Sequence, residues 1–155
     1  MDLENRSDLF DSGDRTALVC MDVPEVQRIV VEQLNELGYK IHTGLFVEDI
    51  LLKMRAHSYD VLVVSAHFNA TALEHNPILT SVNAVSASQR RCQFVTLVGS
   101  SFTTGDELQS FQQSVELVVA LPDVANLKPV LRRSTLRHRE FYAPFFEAER
   151  ASASN

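Results

Sequence analysis

Five strand–helix units in alternation predict an α/β domain, a doubly wound five-stranded parallel sheet of order 2-1-3-4-5 with five helices. Three observations carry this. The strand candidates are short, unbroken apolar runs of the kind covered on both faces. The segments between them repeat apolar residues at three- and four-residue spacing. The connections are short, which leaves little room for any arrangement but crossovers between neighbouring strands.

Residues 1–14 precede the first strand. They carry five acids (Asp2, Glu4, Asp8, Asp11, Asp14) against Arg6 and read as a flexible lead-in. Strand one is 17–21. Helix one opens at Pro24, a good first helical residue, and closes at Gly38, with Val26, Ile29, Val30, Leu34 and Leu37 forming one stripe. Strand two is 39–43. Helix two spans about 47–57, with Val47, Ile50, Leu51 and Met54 inward. Strand three is 61–64. Asn76-Pro77 opens helix three as cap and first residue, and strand four is 94–98. Thr104-Gly105-Asp106-Glu107 reads as a capping box for helix four. Strand five is 115–120, ended by Pro122, and the last helix spans about 126–149 with breaks expected at Pro129 and Pro144. One domain over 15–149 and a disordered tail at 150–155 complete the organisation.

The chain of 155 residues, 45% apolar and 22% charged, suits one globular domain. No apolar run reaches the roughly 20 residues of a membrane span, and the acidic N-terminus lacks the apolar segment of a signal peptide. A cytoplasmic protein without membrane attachment is expected. Cys20 and Cys92 read as small core residues, not a disulfide. The histidines (42, 57, 67, 75 and 138) are scattered, with no metal-ligand spacing. A net charge of −6 argues against nucleic-acid binding.

In this topology the functional crevice lies at the carboxyl ends of strands one, three and four. Residues 19–25, Val-Cys-Met-Asp-Val-Pro-Glu, end strand one. Residues 59–67, Tyr-Asp-Val-Leu-Val-Val-Ser-Ala-His, end strand three. Strand four closes as Val98-Gly99-Ser100 and strand five as Ala120-Leu121-Pro122. Over residues 16–140 these landmarks resemble the receiver domains of bacterial response regulators, which implies a flavodoxin-like fold and a place in two-component signal transduction. In that family two acids after strand one hold Mg²⁺, and an aspartate ending strand three takes up a phosphoryl group. A hydroxyl residue on strand four and a lysine on strand five steady the phosphate.

Set on that pattern, Met21 replaces the first acid and Asp22 matches the second. Ser65 stands at the acceptor, Val98 at the hydroxyl position and Leu121 at the lysine. The resemblance thus implies a degenerate pseudo-receiver that is not an enzyme and needs no cofactor. Asp22 alone would hold Mg²⁺ weakly. Asp22, Ser65 and His67 do not make a convincing triad, because no glycine-flanked elbow surrounds the serine. Asp22 reads better as the cap of helix one, and Gly99-Ser100-Ser101 as an ordinary turn. A rival reading makes the vacated crevice, lined by Met21, Val98 and Leu121, a small-ligand or nucleotide sensor.

Surface recognition is the favoured reading. The family commonly docks or dimerises through the face of helix four, strand five and helix five. Two features fall on or near that face. One is the basic run Lys128, Arg132, Arg133, Arg137 and Arg139, which faces no acid in its own segment. The other is the aromatic set Phe141, Tyr142, Phe145 and Phe146. The aromatics either cover the domain's own flank or anchor a protein partner, acidic or a second copy.

Overall fold

The computed structural model describes residues 13–68 and 72–153. Most of the expected lead-in, at 1–12, and the tail residues 154–155 lie outside that range. Five parallel strands, β1 (Thr16–Cys20), β2 (Lys40–Thr43), β3 (Val61–Ser65), β4 (Phe94–Gly99) and β5 (Leu117–Ala120), form one sheet in the order β2-β1-β3-β4-β5, as the apolar runs predict. Side chains alternate across the sheet. Leu18, Cys20, Leu62 and Val64 therefore enter one core with Ile50, Ile78 and Val82. Ala17, Val19, Val61 and Val63 enter the other with Val30, Leu34, Leu127 and Leu131.

Helices α1 (Pro24–Glu36) and α6 (Leu127–Ala153) cover the second core, while α2 (Val47–Ala56) and α3 (Pro77–Asn83) cover the first. Pro24 and Gly38 act as expected. The glycine takes φ +89°, where a side chain would strain the turn, and the chain re-enters the sheet at Lys40, one residue later than predicted.

Six α-helices are present among the described residues, not five. The third predicted helix divides into α3 and α4 (Ala87–Arg91) because the Ser86 hydroxyl accepts from Gln89 N and restarts the coil. Cys92 caps α4 at its C-terminus and is exposed, so it is not the small core residue expected. The capping box at 104–107 does not form. Asp106 caps α5 (Glu107–Gln113) through Gln109 N. Thr104 Oγ1 instead donates to Asp123 at 2.6 Å and accepts from Ala120 N at 2.9 Å, tying the loop before α5 to the end of β5. Residues 115–116 precede β5, since Ser114 turns through φ +57° just before them.

Neither proline breaks α6. Pro129 lies in the first turn, where backbone N–H groups have no intrahelical acceptor to lose. Pro144 sits inside the helix, which continues to Ala153 and takes in residues expected to be tail. Gln33 of α1 satisfies the start of this helix, accepting from Lys128 N at 2.7 Å.

Candidate functional site

The end of β3 is held by one side chain. Buried Asn76 caps α3, its Oδ1 accepting from Ile78 N and Leu79 N at 3.1 and 3.4 Å. Its Nδ2 donates to the carbonyls of Ser65 and Ala66 at 3.0 and 3.1 Å. The position of residue 65 is thus set from three directions. The parallel ladder pairs it with Val98, Ala66 N donates to Val98 O at 2.8 Å, and Asn76 grips its carbonyl.

The pocket residues named from the sequence lie at or just beyond the carboxyl ends of their strands. Met21 and Val98 are buried, Ser65 is half-buried, and Leu121 is partly exposed beyond β5. Ser65 Oγ donates to Asp22 Oδ2 at 3.2 Å. Asp22 therefore serves Ser65 and does not cap α1, whose N-cap is Val23 with no side-chain bond. Gly99 lets the next loop fold inward, since a Cβ there would lie 3.0 Å from both the Ala66 methyl and the Phe102 ring.

A carboxylate is too weak a base to ionise a serine hydroxyl, so the pair is a hydrogen bond and not an activated nucleophile. Mg²⁺ does not fit this donor set, in which a thioether and an apolar floor accompany one carboxylate. Among the described residues no group of three or more His, Cys, Asp or Glu side chains converges in a way that could hold a metal ion.

The face of α5, β5 and α6 is open in a different manner. A groove of about 540 Å³ runs between them, with Thr104, Glu107 and Ser110 on one wall and Arg133, Arg137 and Phe141 on the other. The basic run therefore divides. Arg133 and Arg137 line the groove, Lys128 Nζ pairs with Glu36 on α1 at 3.1 Å, and Arg139 turns to the lower edge of the sheet. Arg132 is exposed and lines neither cavity.

The aromatics divide as well. Tyr142 and Phe146 are half-buried, while Phe141 and Phe145 are 73% and 48% exposed. The Tyr142 ring packs at a tilt against His138, with centroids 4.9 Å apart, and His138 Nε2 donates to the Arg91 carbonyl at 2.8 Å. The Arg91 guanidinium lies 4.8 Å from the centroid of the Phe145 ring and 3.5 Å from Glu149. His138 was discoverable from its three- and four-residue spacing to Phe141 and Tyr142. Arg91, far from these residues in sequence, gave no such signal.

A second cavity of about 380 Å³ lies at the lower edge of the sheet, lined in part by Arg15, Tyr39, Cys92 and Phe146. Burial pushes the Cys20 thiol up to about 12. It also raises the Cys92 thiol, with Glu149 adding to the shift. Thiolate is the reactive form, and a raised pKa lowers its population at any pH below that value. Titration with an aromatic disulfide at pH 8 should therefore modify Cys92, more slowly than a free thiol, and leave Cys20 silent until the chain unfolds. Two thiols reacting together in the folded protein would contradict this placement.

No family model matches the chain, and no curated protein matches it. Solved structures do. The signal receiver domain of an HD domain-containing protein from Pseudomonas fluorescens Pf-5 is 13% identical, with a TM-score of 0.62 over 87% of this chain and 96% of that one. A CheY-like response regulator receiver domain from Methylobacillus flagellatus is 20% identical, with a TM-score of 0.56 over 79% and 99%. HP1043, an orphan response regulator of H. pylori, is 17% identical, with a TM-score of 0.58 over 80% and 98%. At these identities the likeness is one of fold: the chain has the CheY-like, flavodoxin-like architecture.

Proposed function

We propose that this chain is a pseudo-receiver, a protein-binding module of signal transduction that does not take up phosphate at its strand-end pocket. It acts through the α5–β5–α6 face. The observation that carries the reading is the contrast between the two sites. At the strand ends a neutral Ser65 is bonded to Asp22 over buried Met21 and Val98. The groove beside β5 is open, and one of its walls carries Arg133, Arg137 and exposed Phe141.

Desolvated aromatics supply most of the energy at protein interfaces, and flanking arginines steer acidic partners. Ligand sensing in the crevice has less support, because Met21 and Val98 are buried. No helix among the described residues is long and apolar enough to cross a membrane.

The test has two arms. Incubation with acetyl phosphate and Mg²⁺ should give no mass gain of about 80 Da, the added phosphoryl group. Cross-linked capture from native cells should recover a partner with the wild type and with Ser65→Ala, and lose it with Arg133→Glu. A stable phosphoryl adduct, or capture that depends on Ser65 and ignores Arg133, would reverse the reading.

A further inference from the structure

The cavity at the lower edge of the sheet lies at the amino ends of the strands, opposite the end that carries Asp22 and Ser65. Parallel sheets ordinarily receive ligands at their carboxyl ends, so its place is unusual. Its volume of about 380 Å³ falls in the range of pockets that hold small molecules. At the strand starts the backbone is already paired. Phe94 N donates to Asp60 O and Lys40 N to Arg15 O, each at 2.8 Å, and the Asp60 carboxylate takes Thr16 N at 2.8 Å.

The walls combine apolar rings with positive charge. Tyr39, Phe94 and Phe146 contribute the rings, and Arg15, Arg91 and Arg139 contribute guanidinium groups. The Arg15 guanidinium lies over the Tyr39 ring, 4.9 Å from its centroid. Burial raises the Tyr39 phenol, and the charges of Arg15 and Arg139 act against that rise, so both reach the same ring. Among the described residues neither arginine makes an ion pair. Arg91 makes one there, the long 3.5 Å contact to Glu149, and its buried Nε has no acceptor. Arg91 thus carries a charge with fewer acceptors than its five N–H groups can use. Two carboxylates, Asp14 and Asp60, also line the cavity, but Asp60 is engaged at the head of β1.

From this arrangement we propose that the cavity binds a small organic anion with a flat apolar body, of the aromatic carboxylate class. Its carboxylate pairs with the guanidinium groups, whose planar forks match that shape, and its body lies against the rings of Phe94 and Phe146. A cationic ligand would meet three positive groups. A neutral one would leave them as they are. Glu149 competes with the ligand for Arg91. Neither the site nor its ligand rests on the reading of the α5–β5–α6 face.

Calorimetric titration of the full chain with naphthoate tests this, with naphthamide and acetate as controls. The amide keeps the body and loses the charge, while acetate keeps the charge and loses the body. Naphthoate should bind with a dissociation constant of about 1 mM or tighter, and each control at least about tenfold more weakly. Arg91→Met and Arg139→Gln should each weaken it about tenfold, whereas Glu149→Gln, which removes the competing carboxylate, should tighten it. Cys92 lines the cavity and is exposed, so it reports the ligand's position. At about ten times its dissociation constant, naphthoate should slow alkylation of Cys92 by iodoacetamide about tenfold.

If Arg91→Met loosens α6, shown by lower ellipticity, the exposed Arg139 and the protection of Cys92 carry the test. Naphthamide binding as tightly as naphthoate overturns the anion and leaves a plain apolar cavity. Acetate binding as tightly overturns the apolar body and leaves a simple anion patch. Naphthoate that shows no saturation by about 10 mM overturns the site itself. Saturable binding with alkylation of Cys92 unchanged puts the ligand elsewhere and overturns it as well.

Discussion

Truncating Leu131 to alanine should lower the unfolding free energy by about 3 kcal/mol, within the usual range for deleting a fully buried leucine. Leu131 is wholly inaccessible and packs with Val30, Leu34, Val63 and Leu127 between α1 and the sheet. The neighbouring contacts cannot fill the space. Strand residues are fixed by the ladder, and α1 is held by its own stripe and by Gln33 at the head of α6. The effect should also spread along the chain, because Leu131 is one of the few side chains that fix α6 to the domain. Urea unfolding measures the loss. A change below about 1 kcal/mol would mean that the helix is held elsewhere, at His138 and Arg91.

Replacing Asn76 by alanine should cost about as much, for a different reason. The substitution leaves the carbonyls of Ser65 and Ala66 without their donor and the first N–H groups of α3 without their cap. A lost cap costs about 1 kcal/mol and each of the two unsatisfied carbonyls about 1–3 kcal/mol, so a total of at least about 3 kcal/mol is expected. Asn76→Ser separates the two parts. Serine can still cap the helix but cannot reach both carbonyls, so it should recover about 1 kcal/mol of the loss. Equal stability of the alanine and serine variants would show that the cap contributes little and that the grip on the β3 loop is the whole effect.

Why some features were legible in the sequence follows from the range over which each acts. The sheet order came through because β1, β3, β4 and β5 are mostly apolar on both faces and the turns carry local signals, Pro24, Gly38 and Asn76-Pro77, that need no distant partner. The capping box failed because Thr104 has a better use 19 residues away, at Asp123. Asp22 failed as a cap because β1 and β3 are neighbours, which brings Ser65 within hydrogen-bond distance. Pro144 did not stop α6, although local propensity says that it should. Phe145 and Glu149 beyond it are held by Arg91, and the Tyr142 ring packs at a tilt against Phe145 across it.

At the candidate site, the type of residue at each strand end could be read directly. The division of the basic run could not. Which of Lys128, Arg133 and Arg139 faces which neighbour depends on the rotation of a helix whose start is set by Gln33.

Held near its base, α6 is a lever. From Thr135 to Ala153 it runs about 27 Å, so a tilt of about 10° at the base carries the tip about 5 Å. A small change in how the groove closes becomes a large displacement at the far end, without any bending of the rod. Arg91 acts as the brace on that lever, touching it at Phe145 and Glu149. One arginine on a five-residue helix thus governs where the end of the rod points.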